Sequence, residues 1–194
     1  MPIRFQQPPA GAIETLRESA TAMFDEHARM IRSVVDDPDG PDGHWPHPVY
    51  IAGLRDMAAS GGLRHARKVG WRYLTKSGGA CAFEVGDDPD GGGLQLTEID
   101  DGPFIDDLYR VLENKRLAQR TSDTDLSLSV LRINAMNICA VWLRAESGGA
   151  DIIIPLQPAP DYLKPGHSYS VEEFQEALQP QAKCNLKSGR SFDA

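Results

Sequence analysis

Residues 69–85 read VGWRYLTKSGGACAFEV, and this stretch decides the class of fold. On either side of the central Ser-Gly-Gly, large side chains alternate with small or charged ones, which is the period of a β-strand. Gly-rich pairs between two such runs favour a tight turn. A second Gly-rich turn, at 87–93, leads into a third run at 94–99. Because parallel strands need long crossovers, these three runs predict an antiparallel meander.

Helical patterns precede and follow the meander in the sequence. Apolar residues at steps of three and four predict one long helix over 13–35 and a shorter helix over about 49–60. A third helix is predicted over 103–119, with proline at its first position and acidic residues in its first turn. A capping box predicts a last helix over 171–178.

Two more strands are predicted after the third helix, at 126–144 with a break near Asn134, and at 151–156. The chain is therefore predicted to be an α+β protein. A long N-terminal helix packs on a curled antiparallel sheet of about five strands, and a helix is inserted between strands three and four. We expect a single domain over 13–178, an N-terminal extension over 1–12 and a flexible C-terminal tail over 179–194.

The predicted strand at 137–143 is apolar on both faces. Its two alternating sets are Cys139, Val141 and Leu143, and Ile138, Ala140 and Trp142. An antiparallel strand with one wet face alternates between apolar and polar residues, so we expect this strand to be covered twice. The first helix can cover one face, and the other needs the helix that begins near Phe104, the C-terminal segment or a partner chain.

This order of elements, with a helix between strands three and four, resembles the layout of cystatin-like and NTF2-like folds. The resemblance implies a long helix lying across a curled sheet. It implies no activity, because such folds carry enzymes, binders and scaffolds alike.

Composition narrows the classes of function. The chain has 194 residues and a formal net charge of −8, which argues against general affinity for nucleic acid or anionic membranes. No apolar run is long enough to span a bilayer, and the N-terminus has no signal-peptide pattern. The three cysteines lack a CxxC spacing and favour a reducing compartment, so we expect a cytoplasmic protein. Cys81 and Cys139 are predicted to be buried, and Cys184 exposed.

The familiar catalytic and nucleotide-binding motifs are absent, so we predict no catalytic residues and no cofactor. His44 and His47 supply only half of a zinc site, and the loop that carries them is read as a rigid cover over a core edge. The pentapeptide DDPDG occurs at 36–40 and at 87–91, where it fits a turn better than a calcium loop. We therefore predict no metal site.

A basic island stands out in this acidic chain, because no acidic residue lies between Asp56 and Glu84. Arginine forks and lysines beside aromatic rings can bind an anion or the acidic surface of a partner. The alternative reading is a solvated helix end and the outer face of an edge strand. The residues predicted to bind are Arg64, Arg67, Lys68, Trp71, Arg72 and Lys76.

Two hypotheses of function follow. The first is a non-catalytic binding or accessory protein that recognises a protein partner or assembles with itself. The alternative is a small enzyme or small-molecule binder with a pocket between the sheet and the N-terminal helix, lined by His27, Asn137 or Trp142. Nucleic-acid binding is disfavoured by the net charge, and we expect no membrane partner.

Overall fold

The computed structural model describes residues 4–23, 26–36, 45–76, 79–113, 125–146 and 148–189. The five α-helices of this part of the chain are α1 (Ala12–Ala22), α2 (Glu26–Asp36), α3 (Leu54–Ala58), α4 (Pro103–Leu112) and α5 (Val171–Lys187). The strands are β1 (His47–Ile51), β2 (Arg67–Thr75), β3 (Cys81–Asp87), β4 (Leu94–Asp100), β5 (Leu126–Ile133), β6 (Ile138–Ala145) and β7 (Ile152–Pro155). Short 3₁₀ turns occupy Gly62–His65 and Asn134–Met136.

The strands form one mixed sheet in the order β4-β3-β2-β1-β5-β6-β7. Neighbouring strands are antiparallel except β1 and β5, which are parallel. The α+β class is confirmed, but the prediction of about five antiparallel strands is wrong. The turn at Asn134–Met136 divides the predicted run 126–144 into two strands, and β1 lies at the start of the stretch predicted to be a helix over 49–60.

β1 was missed because the apolar pattern of α3 continues back into it. Pro48 lies near the start of β1, where its missing N–H is tolerated. β1 pairs with β5 only from Val49 onward. Beside the first residues of β5, Arg4 completes the ladder instead, donating its N–H to the Leu126 carbonyl at 2.9 Å. Part of the predicted N-terminal extension therefore joins the sheet.

The predicted helix over 13–35 is two helices. Met23, after α1, has an extended backbone (φ −100°, ψ 147°), and the chain enters α2 at Glu26. The apolar stripe that predicted one helix survives the break, because α1 and α2 both pack on the half of the sheet formed by β2, β3 and β4. Their core partners there include Trp71, Tyr73 and Phe83.

The other half of this face is covered by α3 and α5. α5 does not end at 178 as predicted but runs to Lys187, with Pro180 inside it. The helix continues because Leu178 and Ala182, on either side of the proline, are both buried in the core. Residues 179–187, assigned to the flexible tail, are thus largely helical structure.

The opposite face of the sheet is covered by α4. Ile105, Leu108 and Val111 of α4 pack on apolar side chains of β2, β3, β5, β6 and β7. β6 is therefore covered twice, as predicted, by α4 on one face and by α3 and α5 on the other. On the face opposite α4, the cover of β6 comes from α3 and the C-terminal helix α5, and not from the N-terminal helix as expected. The predicted helix over 103–119 ends at Leu112, and most of 113–119 lies outside the described residues.

Candidate functional site

A row of charged side chains crosses the sheet on the face that carries α4. Arg72 of β2 is the register partner of Glu84 of β3, which in turn pairs with Glu98 of β4. Trp71 and Tyr73 point towards α1 and α2, so Arg72, between them in the strand, points to the α4 face. With Arg132 of β5 and Asp100 of β4, these residues form a set that we call the charge cluster: Arg72, Glu84, Glu98, Asp100 and Arg132.

Glu84 bridges the two arginines of the charge cluster. Its Oε2 accepts a hydrogen bond from Arg72 Nη2 at 3.1 Å, and its Oε1 accepts one from Arg132 Nη2 at 3.2 Å. Gly70 lies against this bridge, where a Cβ would be 2.8 Å from the Val85 carbonyl oxygen and 3.2 Å from Glu84 Oε1. The side chains of Arg72 and Glu84 are only 1% and 4% exposed. Both charges are therefore removed from water and depend on each other.

The remaining contacts of Arg72 are loose. Its Nη2 lies 3.7 Å from Glu98 Oε1 and its Nη1 lies 3.7 Å from Asp100 Oδ2, both beyond hydrogen-bond distance. Arg132 donates a hydrogen bond to Glu98 as well as to Glu84. Within the described residues, the buried Nε atoms of Arg72 and Arg132 have no acceptor. A guanidinium has more N–H donors than these carboxylates use, so the cluster keeps spare donor capacity.

Arg132 stays charged in this setting. Burial acts to lower the pKa of Arg132, but the carboxylates of Glu84 and Glu98 outweigh it and raise that pKa above its ordinary value. The two guanidiniums face three carboxylates, which leaves the cluster with one negative charge in excess.

A pocket of about 280 Å³ opens beside the charge cluster. β2, β4, β5, β6, the first turn of α4 and the turn between β5 and β6 all contribute to it. Glu98 and Asp100 are its partly exposed carboxylates, with side chains 39% and 24% exposed. The residues that line it are Arg72, Glu98, Asp100, Phe104, Arg132, Asn134, Asn137, Ile138 and Cys139.

Local turns place several of these side chains. Asn137 has the left-handed conformation (φ 52°, ψ 47°) that asparagine tolerates better than most residues, and it returns the chain from β5 into β6. This turn brings the exposed Asn134 and Asn137 to the pocket rim. On the opposite wall, Asp100 Oδ1 accepts the Gly102 N–H at 2.9 Å just before α4, which fixes the carboxylate.

His47 lies beside Arg72, as its register partner in β1. Its Nδ1 donates a hydrogen bond to the Trp45 carbonyl at 2.6 Å, which leaves Nε2 as an acceptor. That atom is buried and without a partner in the part of the chain that is described. Burial lowers the pKa of His47 to about 3, the Trp45 carbonyl opposes the change and Arg72 adds to it. His47 is therefore neutral at physiological pH.

Cys139 lines the pocket as a thiol rather than a thiolate. Burial raises its pKa to about 11, although Arg72 and Arg132 act in the other direction. It is a poor nucleophile at neutral pH for this reason. The predicted exposure of the three cysteines is confirmed, since Cys81 and Cys139 are buried and Cys184 is exposed.

The predicted basic island does not form one surface. Arg64, Arg67 and Lys68 are exposed near the start of β2, and the Lys68 ammonium lies 5.2 Å from the centre of the Trp71 ring. Lys76 follows the other end of this strand, about 26 Å from Lys68 at the usual rise per residue. There it pairs with Glu113 and lies over the Tyr109 ring.

Trp71 and Arg72 are buried on opposite faces of β2, Trp71 against α1 and α2 and Arg72 in the charge cluster. The reading of this segment as an edge strand is wrong, because β2 lies between β1 and β3. The island was therefore expected to be more exposed than it is.

The pocket residues outside the island were mostly missed. The predicted pocket lay between the sheet and the N-terminal helix, whereas this one lies on the opposite face, and of its three predicted lining residues only Asn137 borders it. A usable signal was present in the sequence: Arg132 is the single charge of β5, and Glu84 is the single charge of β3 before Asp87 at its end. Such charges are rarely buried without a partner.

Comparison with protein-family models, with curated proteins and with solved structures found no match. Among the described residues, no group of three or more His, Cys, Asp and Glu side chains is placed to hold a metal ion. His44 lies outside the described residues. Of the helices described, none combines the length and the apolar character needed to cross a bilayer.

Proposed function

We propose that this protein binds a small polar molecule in the pocket beside the charge cluster. The observation that carries the proposal is the state of the Arg72 side chain, which is 1% exposed, borders the pocket and makes a single hydrogen bond within the described residues. A buried guanidinium with unused donors is costly unless another acceptor completes its contacts. A ligand in the pocket can supply that acceptor.

The surroundings of the charge cluster support a role in binding rather than in stability. Neighbouring positions on the same face carry apolar side chains under α4. Apolar side chains in place of a buried ion pair often give equal or greater stability, so charges at these positions favour a function that needs them. The pocket is small by the standard of ligand sites, which suits a molecule of few heavy atoms.

The test is a calorimetric and thermal-shift screen of small polar metabolites against the wild-type protein and two matched variants. Glu98→Gln removes a carboxylate from the pocket, and Glu172→Gln removes one from a different pocket, near Ser60 and Gln175. We expect at least one compound to bind the wild type and Glu172→Gln, and to bind Glu98→Gln about tenfold more weakly. If no compound binds the wild type at millimolar concentration, the proposal is wrong.

A second candidate function is the docking of a protein partner with an acidic surface at Arg64, Arg67 and Lys68. This is favoured by one observation: these three exposed side chains form no ion pair with the described residues. Unpaired cations close together in an acidic protein favour fast, specific association with an acidic surface.

Charge reversal tests this candidate. Affinity purification from the native host, with light scattering on the pure protein, should give a stoichiometric partner or a self-associated particle for the wild type. Arg64→Glu with Arg67→Glu should abolish it, whereas Lys183→Glu with Lys187→Glu on α5 should not. Equal recovery with both double variants would remove the role assigned to these residues.

A further inference from the structure

We infer that the pocket beside the charge cluster takes a small zwitterion, a molecule that carries an ammonium and a carboxylate on the same carbon, as a free α-amino acid does. This inference rests on the proposed function and specifies its ligand class. It follows from the balance of charge, the positions of the unused groups and the size of the pocket.

The balance of charge excludes the simpler ligands. Two guanidiniums face three carboxylates in the charge cluster. A simple anion would meet this negative excess and the partly exposed carboxylates of Glu98 and Asp100. A simple cation would leave the spare N–H donors of Arg72 without acceptors. A zwitterion satisfies both sets of groups with no net change in charge.

The ammonium side of the site is formed by Asp100 and Glu98. Asp100 Oδ1 is occupied by the Gly102 N–H, whereas its Oδ2 is 3.7 Å from Arg72 Nη1 and accepts no hydrogen bond from the described residues. Glu98 Oε1 is likewise 3.7 Å from Arg72 Nη2. Each carboxylate thus has an acceptor oxygen that is not committed, and an ammonium can donate to both.

The carboxylate side of the site is formed by Arg72 and the amides of Asn134 and Asn137. Arg72 donates one hydrogen bond to Glu84 and none to the carboxylates at 3.7 Å. The two asparagines add amide N–H donors at the rim.

The size and the apolar part of the wall restrict the side chain of the ligand. The volume of about 280 Å³ is shared by the two charged groups and whatever carbon lies between and beyond them. Phe104, Ile138 and Cys139 form the apolar part of the lining. This arrangement fits an amino acid with a short, uncharged side chain.

The experiment compares a ligand with its own halves. Each of the standard free L-amino acids is titrated calorimetrically into the wild-type protein, and the tightest is compared with its analogue lacking the ammonium and its analogue lacking the carboxylate. For alanine these analogues are propionate and ethylamine. We expect the intact amino acid to bind about tenfold more tightly than either half, or better, since each half loses at least one charge-assisted hydrogen bond.

The double variant Glu98→Gln, Asp100→Asn supplies a readout that a purely structural role would not change. It should bind the amino acid more weakly and the carboxylate-only analogue no more weakly than wild type does, so that the preference for the ammonium disappears. Thermal unfolding shows whether the double variant is folded. If it is not, the comparison of the amino acid with its two analogues on the wild-type protein still tests the inference.

The outcomes separate this inference from the function on which it rests. If a half-molecule binds as tightly as the intact amino acid, or if the metabolite screen gives a ligand while no amino acid binds, the zwitterion inference is wrong and the binding pocket stands. If neither the screen nor the amino acids give a ligand, both are wrong.

Discussion

The face of the sheet that carries α4 has an apolar half and a charged half, and both are built on the same strands. Positions two residues apart point to the same side of a strand but differ completely in chemistry. The pairs are Leu74 and Arg72 on β2, Ala82 and Glu84 on β3, and Val130 and Arg132 on β5. The first member of each pair is in the core under α4, and the second is in the charge cluster.

This difference shows where the charged side chains lie on this face of the sheet. The helix that covers the apolar half begins at Pro103, next to Asp100, and the charge cluster lies at that end of it. Arg72 and Glu84 are nevertheless as buried as the core, so exposure to water does not explain their charge. Stability requires the apolar half, and we assign the charged half to binding.

The largest effect is expected from breaking the bridge in the charged half. Arg72→Met leaves Glu84 buried with one of its two cations gone, which should lower the free energy of unfolding by about 3–5 kcal/mol. The triple variant Arg72→Met, Glu84→Leu, Arg132→Met removes the buried charges together and should recover most of that loss. Urea unfolding measures both. A single variant that costs less than about 1 kcal/mol would contradict the account of a mutually dependent bridge.

A cavity in the apolar half should separate stability from binding. Leu128 is fully buried on β5 under α4, so Leu128→Ala should lower the free energy of unfolding by about 2–5 kcal/mol. Ligand affinity, measured by calorimetry well below the unfolding temperature, should not change. The complementary variant, Glu98→Gln, should reduce affinity while costing about 1 kcal/mol or less, because Glu98 is partly exposed. A loss of affinity in Leu128→Ala as large as that in Glu98→Gln would contradict the assignment of stability to the apolar half and binding to the charged half.

His47, the register partner of Arg72, predicts that the stability of the protein depends on pH. Its pKa in the folded protein is about 3, below the 6.5 of an ordinary histidine, so the unfolded chain takes up a proton at pH values where the folded chain does not. Stability from this residue is complete above about pH 6.5 and is lost as the pH falls towards 3. Between pH 7.5 and pH 5 the loss should be about 2 kcal/mol.

The measurement is urea unfolding across that range for the wild type, for His47→Asn and for the control His65→Gln, whose histidine is exposed. The dependence attributed to His47 should disappear in the first variant and persist in the second. A dependence that is unchanged in His47→Asn would assign it to other groups.

The smallest expected effect concerns the thiol at the pocket. Burial raises the pKa of both Cys81 and Cys139 to about 11, and Cys184 is exposed. A thiol reagent at pH 7.5 should therefore modify Cys184 quickly and the two buried cysteines only slowly, and Cys184→Ser should remove the fast reaction. Fast modification of Cys139 would indicate that the pocket is more open than described.

The sequence predicted the elements whose pattern is local. The β2–β3–β4 meander, the start of α4 and the double cover of β6 follow from residue periods and turn chemistry. The break at Met23 lacks a glycine or proline to mark it, and β1 is hidden because the apolar period of α3 extends into its five residues. The order of strands was not readable, since the pairing of β1 with β5 joins segments about 80 residues apart.

The candidate site was predictable only in fragments. Arg72 and Asn137 were singled out, one for its basic neighbours and the other as a pocket residue, but nothing local linked them. Their meeting depends on the registers of four strands, and a one-residue shift in any of them would turn a charge to the opposite face. The lone charges Glu84 and Arg132 were the signal that could have indicated a buried cluster.

The most direct test of the central claim, that the charged half of the α4 face is a binding site, is nuclear magnetic resonance of the arginine Nε–H groups during titration with small polar molecules and amino acids. We predict that one compound will shift the Arg72 and Arg132 signals, identified with lysine variants, in a saturable way. The Arg144 signal should stay in place, because that side chain lies over Tyr50 and Trp142 on the other face. Signals of Arg72 and Arg132 that do not move with any compound, while the protein remains folded, would contradict the claim.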